Sequence, residues 1–161
     1  MALPGTVHVN GRWFDDLREG EVFWTQGVTL TEEAVIRFAL EWDVQPFHVD
    51  AEAASTSMFG GLIGSGLQTV MLTYRLYHML GLVEGTAKAG LGIDGIRFLK
   101  PTRPGDTLRV QVTVAALRAS RQAGRGIATM AMETYNQRKE LVLTMTLSAL
   151  VARRPSQPET A

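Results

Sequence analysis

The stretch GLQTVMLTYRLYHMLGL, Gly66 to Leu82, is apolar on nearly every face of a helix, interrupted only by Gln68, Thr69, Thr73, Arg75 and His78. A helix that is apolar all round is a buried one. Ser65 stands where an N-cap is needed. A helix over about 66–81 rises roughly 24 Å at 1.5 Å per residue. The chain has no run of 18 apolar residues, the length that marks a transmembrane helix. The segments on either side must therefore supply what buries this one.

Downstream the pattern is β. Leu91–Leu99 reads as a strand, closed by Lys100-Pro101 and by a turn at Pro104-Gly105-Asp106. Leu108, Val110, Val112 and Val114 alternate with Thr107, Arg109, Gln111 and Thr113, the clearest period-2 segment. Gly126–Tyr135 and Leu141–Val151 read as two more strands, giving four in antiparallel succession. Upstream, Glu21–Val28 reads as a strand and a helix follows it. Thr29 and Glu32 fit a capping box, with Thr31 as a rival cap. Val35, Ile36, Ala39 and Leu40 form its apolar face, and Pro46 stops it. A helical turn capped by Asp50 runs to Ser57. This order predicts an α+β fold, a long antiparallel sheet wrapped around one buried central helix. One domain spans 1–161, with an N-terminal arm over about 1–12 and a frayed polar tail over about 153–161.

Composition narrows the function. Of 161 residues, 45% are apolar and 20% charged, which is ordinary globular usage. Sixteen basic residues balance 16 acidic ones, so no basic field invites nucleic acid or an anionic membrane. The absence of cysteine excludes disulfides, thiolate metal sites and a cysteine nucleophile. Met1–Trp13 lacks a basic n-region followed by an apolar core, so the expected location is the cytosol.

Three segments are candidates for chemistry. In Asp43-Val44-Gln45-Pro46-Phe47-His48-Val49-Asp50, the bend at Pro46 lets the Asp43 carboxylate and the His48 imidazole converge on one point. Such a pair can hold a water and move protons to and from it. Alone, the stretch is more simply read as a turn cap and a packed imidazole. Gly60-Gly61-Leu62-Ile63-Gly64-Ser65-Gly66 opens the buried helix, whose first N–H groups and dipole suit a developing oxyanion. Its simpler reading is a tight turn and an N-cap. Arg97, Lys100 and Arg103 could meet an anion, or be solvated charges at a strand end. His48-Val49-Asp50 has a ligand-like spacing but no third ligand nearby, so no metal is expected.

Taken together and in order, these segments resemble the MaoC-like dehydratases, which include the (R)-specific enoyl-CoA hydratases, on a hot-dog fold. The resemblance runs through Trp13-Phe14-Asp15-Asp16-Leu17, Gly20 and Thr31–Phe38. It continues with the D-x-x-P-x-H-x-D stretch, Ala54, Phe59-Gly60-Gly61, and Ile63, Ser65 and Gly66. Arg97-Phe98-Leu99-Lys100-Pro101 and Pro104-Gly105-Asp106 complete it, over roughly residues 13–151. It implies a single hot-dog domain that hydrates a trans-2-enoyl thioester reversibly to a (3R)-hydroxyacyl thioester. Asp43 and His48 are then the catalytic dyad, with the acid and base roles open between them. The Gly66 N–H takes the thioester oxygen, and Ser65 borders the pocket. The substrate is an acyl thioester of CoA or of acyl carrier protein, and Arg97, Lys100 and Arg103 could meet a nucleotide phosphate or an acidic carrier face equally well. No cofactor is implied. Two positions depart from the family pattern: Gln45 stands where Asn is frequent, and Ser65 where His is frequent.

Two rival functions share the fold: a hot-dog acyl-CoA thioesterase, and a non-catalytic acyl-thioester-binding partner subunit. The thioesterase reading is weakened because Gly66–Leu82 holds no Asp or Glu. A homodimer or higher homo-oligomer is expected from the family, and because long strands leave an open sheet edge in a monomer.

Overall fold

The computed structural model describes residues 9–155. Four long strands form where the β pattern is densest: β3 (Ala87–Phe98), β4 (Thr107–Ala119), β5 (Arg125–Tyr135) and β6 (Leu141–Ala152). Upstream the expected single strand is split into β1 (Val22–Trp24) and β2 (Val28–Thr29), both antiparallel to β4. The break lies at Thr25. Its buried hydroxyl accepts the Val110 N–H at 2.9 Å, replacing a ladder carbonyl with a side chain.

The sheet order is β1-β4-β5-β6-β3, with β2 also on β4 and every pairing antiparallel. The four long strands are thus not a simple succession: β3 pairs with β6, not with β4. The connection over 99–106 is too long for a tight hairpin. It is tied to the segment that leads into the central helix, α4 (Gly66–Met79; the shorter helices are placed below), by a Gly64 N–H to Thr102 carbonyl bond of 2.8 Å. The chain therefore crosses to the far side of the sheet before β4 begins.

In β4, Leu108, Val110, Val112 and Val114 are fully buried and cluster with Val70, Leu76 and Tyr77 of α4. Burying one such side chain is worth roughly 1.5–3 kcal/mol. Thr73 of α4 and Thr134 of β5 share a 2.6 Å hydroxyl contact inside this core. The central helix is not buried all round, however. Leu67, Met71 and Met79 are exposed at 52%, 56% and 40%. The sheet covers one side of α4, and the helix Glu32–Trp42 touches it through Gln68, which donates to the Ala34 carbonyl; Leu67 and Met71 stay exposed among the described residues.

The arm and the tail are tied down where they are described. Val9 and Arg12 donate N–H bonds to Leu80 and Leu82. The tail, expected to fray from Arg153, is held at its start. The Arg153 guanidinium lies 5.0 Å over the Phe14 ring, and Arg154 pairs with Asp16 at 2.9 Å. Residues 1–8 and 156–161 lie outside the described residues. Among the described residues, no helix is long and apolar enough to cross a membrane.

Candidate active site

The first site element is α1 (Glu32–Trp42), capped by Thr31, whose hydroxyl accepts the Ala34 N–H. The rival cap, not Thr29, is the one used. Val35 and Ala39 are buried, whereas Leu40 on the expected apolar face is exposed. Asp43 is the C-cap residue, so the helix end delivers its carboxylate. Pro46 opens α2 (Pro46–Val49) at its first turn, where a missing N–H costs nothing. The bend turns His48 back towards Asp43. Asp50 then caps α3 (Ala51–Thr56), accepting from Glu52 and Ala53.

Asp43 and His48 meet. His48 Nε2 lies 3.4 Å from Asp43 Oδ2, and the imidazole is buried. His48 Nδ1 lies 2.8 Å from the Ile63 carbonyl. A carbonyl only accepts, so Nδ1 carries a hydrogen, and in the neutral tautomer Nε2 is the ring's acceptor; it is Nε2 that faces the carboxylate. Ser65 Oγ donates to Asp43 Oδ2 at 2.6 Å, and Gln45 Nε2 donates to Oδ1 at 2.8 Å. The Ser65 and Gln45 bonds, helped by His48, hold the Asp43 carboxyl below its ordinary 3.8, against the opposing effect of burial. Asp43 is therefore a carboxylate at neutral pH. The departure at Gln45 has a use here: the longer amide reaches the carboxylate itself.

Ser65 also caps α4, accepting the Leu67 N–H at 3.1 Å. Gly66 is the first residue of α4, and its N–H has no acceptor within the helix. A Cβ there would come within 2.7 Å of the Phe98 ring, so close approach excludes any other residue without a shift of that ring. The dyad, Gly66 and Phe98 line one cavity of about 380 Å³. Phe47, Phe59, Ile63, Leu99 and Val142 supply apolar wall. Among the described residues, no three His, Asp or Glu side chains converge in a metal-binding cluster.

The three cations take different partners. Lys100 lines the cavity and pairs with Glu140 at 2.8 Å. Arg97 donates to its neighbouring carbonyl at Ile96. Arg103 turns inward and donates to the Phe59 carbonyl at 2.6 Å. Sequence reasoning missed the aromatic wall of Phe47, Phe59 and Phe98. Its only signal was adjacency, since Phe47 precedes His48 and Phe98 follows Arg97.

A molecule that holds two proton acceptors against a free helix N-terminus, beside an apolar hollow, can place a water next to a polarised carbonyl compound. Known proteins share this arrangement's frame. The chain is 39% identical to the MaoC-like dehydratase from Rhodospirillum rubrum, with a TM-score of 0.82 over 90% of this chain and 99% of that one. It is 30% identical to the (R)-specific enoyl-CoA hydratase of the same species over 110 residues, 65% of this chain and 71% of that protein. It is 29% identical to a Mycobacterium tuberculosis protein with a double hot-dog fold, with a TM-score of 0.72 over 94% of this chain and 47% of that one. Residues 17–136 match the MaoC like domain. With that match across most of its length and with its antiparallel sheet around a central helix, this chain is a hot-dog protein of the MaoC-like dehydratase family.

Proposed function

We propose that the protein reversibly hydrates a trans-2-enoyl thioester to a (3R)-hydroxyacyl thioester. One observation carries this reading: the Asp43 carboxylate and the His48 Nε2 face one another at 3.4 Å in the cavity that Gly66, with its free N–H, also lines. A water placed there donates one hydrogen to each acceptor, which leaves an oxygen lone pair for the β-carbon of the substrate. The water oxygen bonds that carbon, one water proton passes to the dyad, and the dyad delivers a proton to the α-carbon. The dyad ends as it began. Negative charge that builds on the thioester oxygen meets the start of α4, where one such donor is typically worth ~3 kcal/mol. The relative named an (R)-specific enoyl-CoA hydratase supports the same chemistry.

Lys100 and Arg97 are proposed to meet the phosphates of CoA or the acidic face of a carrier protein. The protein is proposed to act as a homodimer. β3 is an open edge whose Leu91 and Ile93 are exposed, and α4 shows Leu67 and Met71 to solvent beside it. A second copy of the same strand satisfies both.

The test follows loss of the conjugated enoyl absorbance with a short trans-2-enoyl-CoA, in the presence of a thiol reagent. The expected result is loss of absorbance without thiol release, reduced about 10³-fold in Asp43→Asn and in His48→Ala. Thiol release by the wild-type protein would replace this reading with a thioesterase.

A further inference from the structure

We infer that Arg103 is a positioning residue for the dyad, acting through the segment over 59–64. This rests on the proposed hydration only in that it names His48 as the group positioned.

Arg103 is fixed at its own base. Its N–H donates to Asp106 Oδ2 at 2.9 Å, and buried Asp106 is held in turn by Gln137 at 3.0 Å and Arg138 at 3.2 Å. From there the guanidinium reaches 44 residues back along the chain to the Phe59 carbonyl, at 2.6 Å. The far end of the same segment is tied to the same connection, by the Gly64 N–H on the Thr102 carbonyl at 2.8 Å.

Between these two ties lie Gly60 and Gly61, with φ of +64° and +153°. Glycines lose more conformational freedom on ordering than any other residue, so this geometry has to be imposed from outside. Around Gly60 there is open space, and the neighbour that a Cβ on Gly61 would meet is Arg103 Nη1, at 3.6 Å. The Gly60 N–H donates to the Ser57 carbonyl at 3.1 Å, and the side chain nearest this soft part is Arg103.

What the segment holds is His48. The Phe59 ring stands edge-on to Phe47 at 5.1 Å, and Phe47 stands edge-on to the imidazole at 4.6 Å. The Ile63 carbonyl takes the Nδ1 hydrogen, and its N–H donates to the Phe47 carbonyl at 3.2 Å. The guanidinium thus holds the Phe59 end of the segment that packs on the ring, and the Gly64 tie to the same connection holds the end that carries the Nδ1 acceptor. Displacement of a reacting group by about 1 Å can cost up to ~10²-fold in rate, so the leverage is large.

The experiment compares Arg103→Met and Arg103→Lys with the wild-type chain on two substrates, a short enoyl-CoA and the same acyl group on pantetheine, which lacks the nucleotide phosphates. The expected result for Arg103→Met is a kcat about tenfold lower on both substrates with KM changed less than about twofold, and partial rescue in Arg103→Lys. Phe59→Leu keeps the burial and breaks the ring relay. It should lower kcat in the same way, and combined with Arg103→Met it should add little. These variants keep the relay testable should Arg103→Met not fold.

A second readout needs no turnover. With ¹⁵N-labelled histidine, the His48 Nδ1 hydrogen should exchange about tenfold faster in Arg103→Met than in the wild type. If the wild type hydrates neither substrate, the functional reading fails while this exchange result still decides the positioning role. A rise in KM confined to the CoA substrate, with kcat kept, would overturn the inference and make Arg103 a phosphate ligand. Unchanged kcat and unchanged exchange would overturn it as well.

Discussion

One hydroxyl, that of Ser65, joins the cap of α4 to the Asp43 carboxylate, so helix start and proton acceptor are set by a single side chain. Ser65→Ala removes both bonds. It should cost about 1 kcal/mol of stability through the lost cap. It should also lower kcat about tenfold, because the carboxylate loses its shortest partner. The pH dependence follows from the lowered Asp43 pKa. A carboxyl whose folded pKa lies below its unfolded 3.8 contributes stability that is fully present above that value. That contribution is lost as pH falls through the lower, folded value. In Ser65→Ala the folded pKa moves back up, so the contribution shrinks. Urea unfolding between pH 3 and 7 should show the wild-type advantage at its full size near neutrality and narrowing at the acid end. A constant gap at every pH would mean that only the cap matters. At this scale the approach of Asp43 to His48 was legible, because an aspartate, a proline bend and a histidine are local; their reading as a dyad came from the family resemblance. Gln45's contact with Asp43 was not, since an amide two residues from a carboxylate has many places to point.

The connection between β3 and β4 organises more than its own strands. Asp106, read from sequence as part of a Pro-Gly-Asp turn, is a buried carboxylate that accepts from Arg103, Gln137 and Arg138. It binds this connection to the β5–β6 turn. Asp106→Ala should cost about 3 kcal/mol, as removal of one partner from a buried, charge-assisted network does. Chemical denaturation reads this directly, and a loss below about 1 kcal/mol would show that the network is not coupled. The starts of α3 and α4 were legible because caps lie within a few residues of what they cap, whereas α1 offered two threonines and takes the second. The crossing of β3 to β6 was not, because period-2 alternation names the buried face of a strand and says nothing of its neighbour.

For the whole molecule the exposed apolar surface concentrates on β3 and α4. Every residue of β3 but Ile96 is exposed, and the uncovered side of α4 carries Leu67 and Met71. A homodimer joined along β3 should have twice the chain mass in sedimentation at micromolar concentration. Leu91→Lys with Ile93→Lys places charge on that edge and should yield monomers, with activity falling in step if the cavity depends on the partner. A wild-type protein that sediments as a monomer at all concentrations would remove the dimer.

The sequence by itself determined the antiparallel α+β architecture, the central helix, the four long strands and the approach of His48 to Asp43 across the proline bend. Each of these is written in spacing along a few residues: alternation, capping, a proline bend. Tertiary structure alone decided which strand lies beside which, that α4 keeps one open face, that Gln45 and Ser65 clasp Asp43, and that Arg103 turns inward to Phe59. Those contacts join positions brought together by the crossing at 99–106 and by side-chain torsions. Local periodicity carries no record of either, because it reports only which way a residue faces and not what it will meet.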